Sequence, residues 1–293
     1  MKKIKTSLLV AFMALNTGNV LIHAQQKKTT ATTETAMNNN PFLKKSTLQY
    51  QAPEFDKIKD GHFKPAFEFG LKEQLANINK IVNDKADPTF ENTVLALENS
   101  GPTLGRATII FYNLTSSNTN DALQKLEEEF APIFASHADK ISLNEKLYQK
   151  LKAVKTDKLD AESKRLTEFY LTNFELAGAN LSAENKEKLK EINQQQATLA
   201  TQFSNKLLEA RKNGAVLISD VKELDGLSAD DIAAASEDAE KAGQKGKYLL
   251  ALQNTTQQPL LQNLKNRATR EKLYKASWTR AEKGDANDTR ETV

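Results

Sequence analysis

Apolar positions recur every three or four residues along most of the chain, the period of helices with one buried face. Phe63, Ala66, Phe67, Gly70, Leu71, Leu75 and Ile78 fall on one such face. Asp87-Pro88 offers an N-cap carboxylate followed by Pro at the first helical position. It predicts a helix through Phe90, Val94 and Leu97 that stops at Gly101-Pro102. Leu123, Leu126, Phe130, Ile133, Phe134 and His137 mark another. Ser142 and Glu145 have capping-box spacing for a helix through Leu147, Leu151 and Val154. Leu166, Phe169, Tyr170, Phe174 and Ala177 mark the next.

Ser182 can cap the longest element, which runs to about Asn213. At about 1.5 Å per residue it spans about 45 Å. Its stripe is Leu189, Ile192, Gln196, Leu199, Phe203, Leu207 and Ala210, with one large aromatic, and the other faces carry Lys, Glu, Gln and Asn. Such a helix can project beyond a compact core. A coiled-coil dimer is the rival, but the charged flanks are irregular and no second long heptad run pairs with it.

The pattern changes after residue 214. Val216-Leu217-Ile218 and Tyr248-Leu249-Leu250-Ala251-Leu252 are short apolar runs bounded by Gly, Asp and Asn, the signature of two strands. Between them Ala229 to Ala242 reads as an Ala-rich helix closed by Gly243. Pro259 opens a further helix with Leu260, Leu261 and Leu264, and Thr269 to Lys283 forms another that ends at Gly284. Asp288 and Glu291 stand three apart, as at a capped helix start, so the sequence reads as cut where a new helix begins. The expectation is a mainly α chain: a helical domain over 41–214, then over 215–293 a small α/β insert (near 215–253) and a truncated start of the next helical region.

The first 40 residues follow a different pattern. Lys2, Lys3 and Lys5 precede the apolar stretch Leu8 to Leu15, and Ala24 offers a small residue before a cut, which predicts a secretory signal peptide over 1–24. The apolar run is shorter than the about 20 residues of a spanning helix. Residues 25–40, QQKKTTATTETAMNNN, lack core residues and read as a flexible linker. The expected location is exported, periplasmic or extracellular, with no membrane association after cleavage. The segment also carries the charge excess. Of 41 basic and 38 acidic residues, three Lys fall in 1–24, which leaves 38 of each and a net charge of zero. That balance argues against a nucleic-acid partner. With no Cys there are no disulfides, so the fold rests on its core.

The search for chemistry returns little. Beyond residue 24 the histidines are His62 and His137, far apart, with no His-Glu-x-x-His pair. His62 lies at a helix start, where a ring can cap backbone donors, and His137 continues an apolar stripe, so both read as structural. No thiol nucleophile, phosphate loop or Gly-x-Ser-x-Gly elbow is present. The acidic runs Glu127-Glu128-Glu129 and Asp230-Asp231 read as solvated helix faces. No catalytic, cofactor-binding or metal-binding residue is assigned to this chain.

Several segments carry a resemblance. Pro53-Glu54-Phe55-Asp56-Lys57-Ile58, Gly61-His62-Phe63-Lys64-Pro65-Ala66-Phe67-Glu68 and Pro88-Thr89-Phe90-Glu91-Asn92-Thr93 are similar to the opening of the thimet-oligopeptidase-like zinc metallopeptidases. Ala96-Leu97-Glu98 with Ser100-Gly101, Phe111 to Leu114, Ala135 to Asp139 with Leu143-Asn144, and Gly178-Ala179-Asn180-Leu181-Ser182 continue it. So do Arg270-Glu271-Lys272-Leu273-Tyr274-Lys275-Ala276 and Asn287-Asp288-Thr289-Arg290. No single motif decides the match; it lies in their order, from about Asn40 to Val293.

Within the family, the Asn40-Pro41-Phe42 start and the export pattern most resemble the branch that releases C-terminal dipeptides; the endo-acting oligopeptidase branch is close behind. The resemblance implies the N-terminal half of a mostly helical, channel-type peptidase acting on oligopeptides. Its zinc, held by a His-Glu-x-x-His helix and a distant Glu, would sit in a C-terminal half outside this chain. This half alone is then expected to be inactive and to bind no zinc. The alternative is a stand-alone helical module that binds peptides or a partner without chemistry.

Overall fold

A computed structural model describes residues 39–293. The expected signal peptide, and all of the expected linker except Asn39 and Asn40, lie outside the described residues. The described chain is mainly α, with one two-stranded sheet among the described residues. Its contacts form two units, one of residues up to Leu126 with 136–190, the other of 127–135 with 191–293. The division at Lys190 falls inside the long helix, while residue 214 marks the end of that helix and the approach to the first strand.

The first unit is helical throughout. Helix α1 (Phe63–Asn83) leads to a π-helical turn (Phe90–Leu95) that continues into Ala96–Glu98. Then come α2 (Pro102–Ser117), α3 (Asp121–Ser142), whose middle belongs to the other unit, α4 (Glu145–Ala153) and α5 (Ala161–Leu176). The stripe on α1 is buried as its spacing requires, at Phe63, Ala66, Phe67, Gly70 and Ile78. Phe111 of α2 meets Phe63 and Phe67 edge-on, with ring centroids 5.2 and 5.1 Å apart. Phe42, from the turn Pro41–Leu43, adds a ring 5.0 Å from Phe63. Gly70 belongs to this face for a steric reason: a Cβ there would lie 2.7 Å from the backbone nitrogen of Leu104. A second cluster joins Ile78, Val94, Leu147, Tyr148, Leu151 and Phe174. Burying each such side chain stabilises by roughly 1.5–3 kcal/mol.

Two caps differ from the sequence expectation. The cap before Phe90 is Thr89, not Asp87: Thr89 Oγ1 accepts from Asn92 N at 3.2 Å, and Asn92 Oδ1 accepts from Thr89 N at 2.8 Å. Pro88 therefore precedes the cap. The helix ends at Glu98, short of Gly101, and Pro102 serves as the first residue of α2. Likewise Ser142 closes α3, and Asn144 Oδ1 caps α4 by accepting from Leu147 N at 3.1 Å. In both cases the oxygen three residues from its amide reaches it.

The second unit begins in α6 (Ala183–Asn213), whose first two turns belong to the first unit. Ser182 Oγ accepts from Asn185 N at 3.3 Å, the expected cap. Strand β1 (Val216–Ile218) pairs antiparallel with β2 (Tyr248–Leu250), Val216 opposite Leu250 and Ile218 opposite Tyr248. Between them α7 (Ala229–Lys241) starts at a capping box of Ser228 and Asp231. It ends at Gly243, left-handed at φ +74°, where Gln244 N donates to Ala239 O at 2.7 Å. Helices α8 (Asn254–Asn263) and α9 (Arg267–Trp278) complete the unit. Ile218, Leu224, Leu250, Leu260, Leu264 and Leu273 form its core.

Three boundaries here are corrections. Pro259 lies inside α8 instead of opening it. It has no N–H for the carbonyl four residues back, and burial of Leu260 and Leu264 beyond it holds the helix. Helix α9 starts earlier than Thr269, because Asn266 caps it by accepting from Thr269 N at 3.1 Å. It ends at Trp278, well before Lys283, and Ala281 O accepts instead from Thr289 N at 3.0 Å, which closes a loop. Asp288 starts no α-helix among the described residues: its carboxylate accepts from Gly284 N at 2.7 Å and from Arg290 N at 3.0 Å, and pairs with the Arg290 guanidinium at 2.5 Å. The last described element is a 3-10 turn, Arg290–Thr292, without a side-chain cap.

Candidate functional surface

Both histidines are built into the backbone scaffold of the first unit. His62 Nδ1 accepts from Lys59 N at 3.2 Å, the capping role its position suggests. Its carbonyl accepts from Asn40 Nδ2 at 2.7 Å, which ties the start of the described chain to α1. Burial, with Lys59 nearby, pushes its pKa down. His137 is buried, with Nε2 2.7 Å from Gln74 Oε1, while Gln74 Nε2 donates to Ser100 Oγ at 3.2 Å. Desolvation first, and Lys140 second, lower its pKa. Both rings favour the neutral form that a structural hydrogen bond uses.

Each acidic run has a member held in a hydrogen bond. Glu128 accepts from Asn205 Nδ2 at 2.8 Å, and Asp231 completes the α7 cap. Glu98 accepts from the Tyr170 hydroxyl, whose pKa burial raises and the bond to Glu98 raises further. Among the described residues no three His, Asp or Glu side chains gather as a metal site.

What the fold does build is concave surface. In the first unit a cavity of about 190 Å³ lies beside Arg106, whose guanidinium donates to Phe42 O at 2.9 and 3.1 Å. Gln51, which lines it, and Tyr50 before it are both left-handed, at φ +57° and +58°, a conformation that costs energy in non-glycine residues. In the second unit a cleft of about 490 Å³ is lined by Leu207, Gln257, Leu261, Tyr274, Trp278 and Arg280, among others. Its base is fixed by Ser277 Oγ donating to Gln257 Oε1 at 2.9 Å and Arg280 Nη1 donating to Ser277 O at 2.8 Å. Tyr274 and Trp278 stand at it with ring centroids 5.7 Å apart, and Trp278 is 69% exposed. A groove of about 560 Å³ follows α6 past Ile192, Leu199 and Phe203 to Thr292 and Val293.

None of these surfaces was singled out from the sequence. Trp278, the sole Trp, was the one available signal, and periodicity assigns an aromatic on a helix to the core. The groove on α6 has the stripe as its signal, but a stripe does not say whether the same chain covers it.

A helical scaffold with clefts, and no gathered set of metal ligands among the described residues, leaves kinship to be read from the whole stretch. No family model matches the chain. It is 46% identical over 258 residues to a dipeptidyl carboxypeptidase of Escherichia coli, which covers 87% of this chain and 38% of that protein. The Salmonella typhimurium dipeptidyl carboxypeptidase gives 46% over 261 residues, at 88% and 38% coverage. An oligopeptidase A of Escherichia coli is 29% identical over 246 residues, 83% of this chain and 35% of that protein. Over the length it spans, the chain is similar to these peptidases, the dipeptidyl carboxypeptidases above oligopeptidase A. It spans 38% of the length of the dipeptidyl carboxypeptidases it matches. The thimet-oligopeptidase-like resemblance expected from the motifs therefore holds, and the mainly α fold agrees with it.

Proposed function

We propose that the chain is the N-terminal, channel-wall portion of an exported zinc metallopeptidase that releases C-terminal dipeptides from oligopeptides. The observation that carries this is the difference in identity, 46% to the dipeptidyl carboxypeptidases against 29% to oligopeptidase A. That ranking supports an exo-acting rather than an endo-acting enzyme. In this reading the metal and the catalytic residues belong to the part of the protein beyond this stretch; His62, His137 and Glu128 here hold structural hydrogen bonds. The role that the family resemblance implies for these residues is to wall and narrow the path to the site. Export rests on Lys2, Lys3, Lys5, the Leu8–Leu15 stretch and Ala24.

The test uses the full-length protein and a peptide blocked at its N-terminus. Stepwise loss of dipeptides from the C-terminus, abolished by a chelator and restored by zinc, is the expected result. Cleavage at internal bonds with no dipeptide ladder would move the assignment to the endo-acting branch. N-terminal sequencing of protein from fractionated cells checks export: a start near Gln25 outside the cytoplasm is expected, and Met1 in the cytosol would remove that part.

A further inference from the structure

We propose that the face of α6 from Ile192 to Phe203 docks a helix contributed by the part of the protein that this chain does not span. The inference rests on the reading above that a longer protein exists. Its starting point is charge. On α6, Lys188, Lys190 and Glu191 precede the segment, and Lys206, Glu209 and Arg211 follow it. Between them INQQQATLATQFSN carries no charged residue, in a chain that is 27% charged.

A charge-free run is ordinary where the fold buries it. Residues 251–264 are equally free of charge, and there Leu252, Leu260 and Leu264 are buried. On α6 the fold gives no such reason. Ile192 is 57% and Leu199 42% exposed, and of the whole stripe only Ala210, beyond the run, is buried. Large apolar side chains in a groove without charged flanks describe a surface meant for protein rather than water.

The groove also describes its occupant. Ile192, Leu199 and Phe203 are spaced by seven and four, so they form one stripe about 16 Å long, three helical turns. Ala200 beside them is small, which lets another helix approach closely. Gln195 and Gln196 line the groove with neutral amides, and no side chain that lines it offers an ion pair. The matching partner is a helix of about three turns with an apolar, uncharged face. The rest of the polypeptide is the natural source: at 46% identity the matched proteins are 38% covered, so most of such a protein remains to be placed against this scaffold.

The protein has no Cys, so an introduced one is a unique label within this chain. Leu199→Cys and, as a control, Lys188→Cys are made in the 293-residue chain and in the complete protein, and maleimide reaction at each position is timed by mass mapping. Lys188→Cys should react at the same rate in both. Leu199→Cys should react rapidly in the short chain and about tenfold more slowly, or slower still, in the complete protein. Ala200→Cys should repeat the result, which guards against a variant that fails to fold. Equal rates in the two forms would overturn the proposal. So would slowing seen only when a peptide is added, or only at high concentration of the short chain, since the occupant would then be substrate or a second copy. The two readings fail separately: dipeptide release with a rapidly labelled Leu199→Cys sinks the docking surface alone, and a protected Leu199→Cys without dipeptide release sinks the peptidase assignment alone.

Discussion

The aromatic knot of the first unit and the α6 stripe of the second are written in the same sequence code and end in opposite environments. Phe63, Phe67 and Phe111 sit at helical spacing on α1 and α2 and are fully buried, each ring against two others. Ile192, Leu199 and Phe203 also sit at helical spacing, and the first two face water. Periodicity reports which side of a helix is apolar; it says nothing about when in the assembly of the protein that side is covered. The neighbours differ too. The α1 stripe contains Gly70, which brings α2 within backbone contact at Leu104. The α6 stripe has its small residue, Ala200, beside an open groove.

The largest expected effect is in the knot. Phe111→Ala removes a ring that meets Phe63 and Phe67 and leaves a cavity among residues with no freedom to collapse, at a cost of about 3–5 kcal/mol. Denaturant unfolding followed by circular dichroism reads it. A loss near 1 kcal/mol would mean that the knot packs no better than the groove. Next comes Gly226→Ala, in the exposed turn that follows Leu224 of the second unit. Gly226 is left-handed at φ +100°, and a Cβ would lie 2.2 Å from Asn263 O, so a loss of about 1–3 kcal/mol is expected in the same assay. An unchanged midpoint would show that this turn yields freely.

Smaller again is the helix cap. Asn144→Ala should cost about 1 kcal/mol, and Ser142→Ala much less, because Asn144 Oδ1 holds the Leu147 amide. The reverse order would restore Ser142 as the cap. Smallest is Leu199→Gln in the 293-residue chain, expected within about 0.5 kcal/mol of the parent, the range of an exposed site. A loss as large as that of a core residue would place Leu199 inside the second unit and close the gap between the two regions.

Much of the helix inventory was legible, because buried stripes such as Phe63 to Ile78 and Leu147 to Leu151 repeat often enough to overcome local ambiguity. The boundaries were not. Ser142 and Asn144 both carry a capping oxygen, and only the backbone decides which one reaches an amide three residues on. Pro259 reads as a start signal, yet burial of Leu260 and Leu264 carries α8 across it. The clefts were illegible for a related reason. Their lining comes from α6, α8, α9 and the turns after Trp278, each unremarkable alone, and concavity exists only once they meet.

Trp278 is the protein's only tryptophan, and it stands exposed in the second unit. Its emission is therefore blind to the aromatic knot and sees one half of the polypeptide. Far-ultraviolet dichroism sees the helices of both. Recorded on the same sample, the two signals make an unlabelled measure of cooperativity: superimposed melting curves mean that the units unfold as one body, and separated curves give the interval between them.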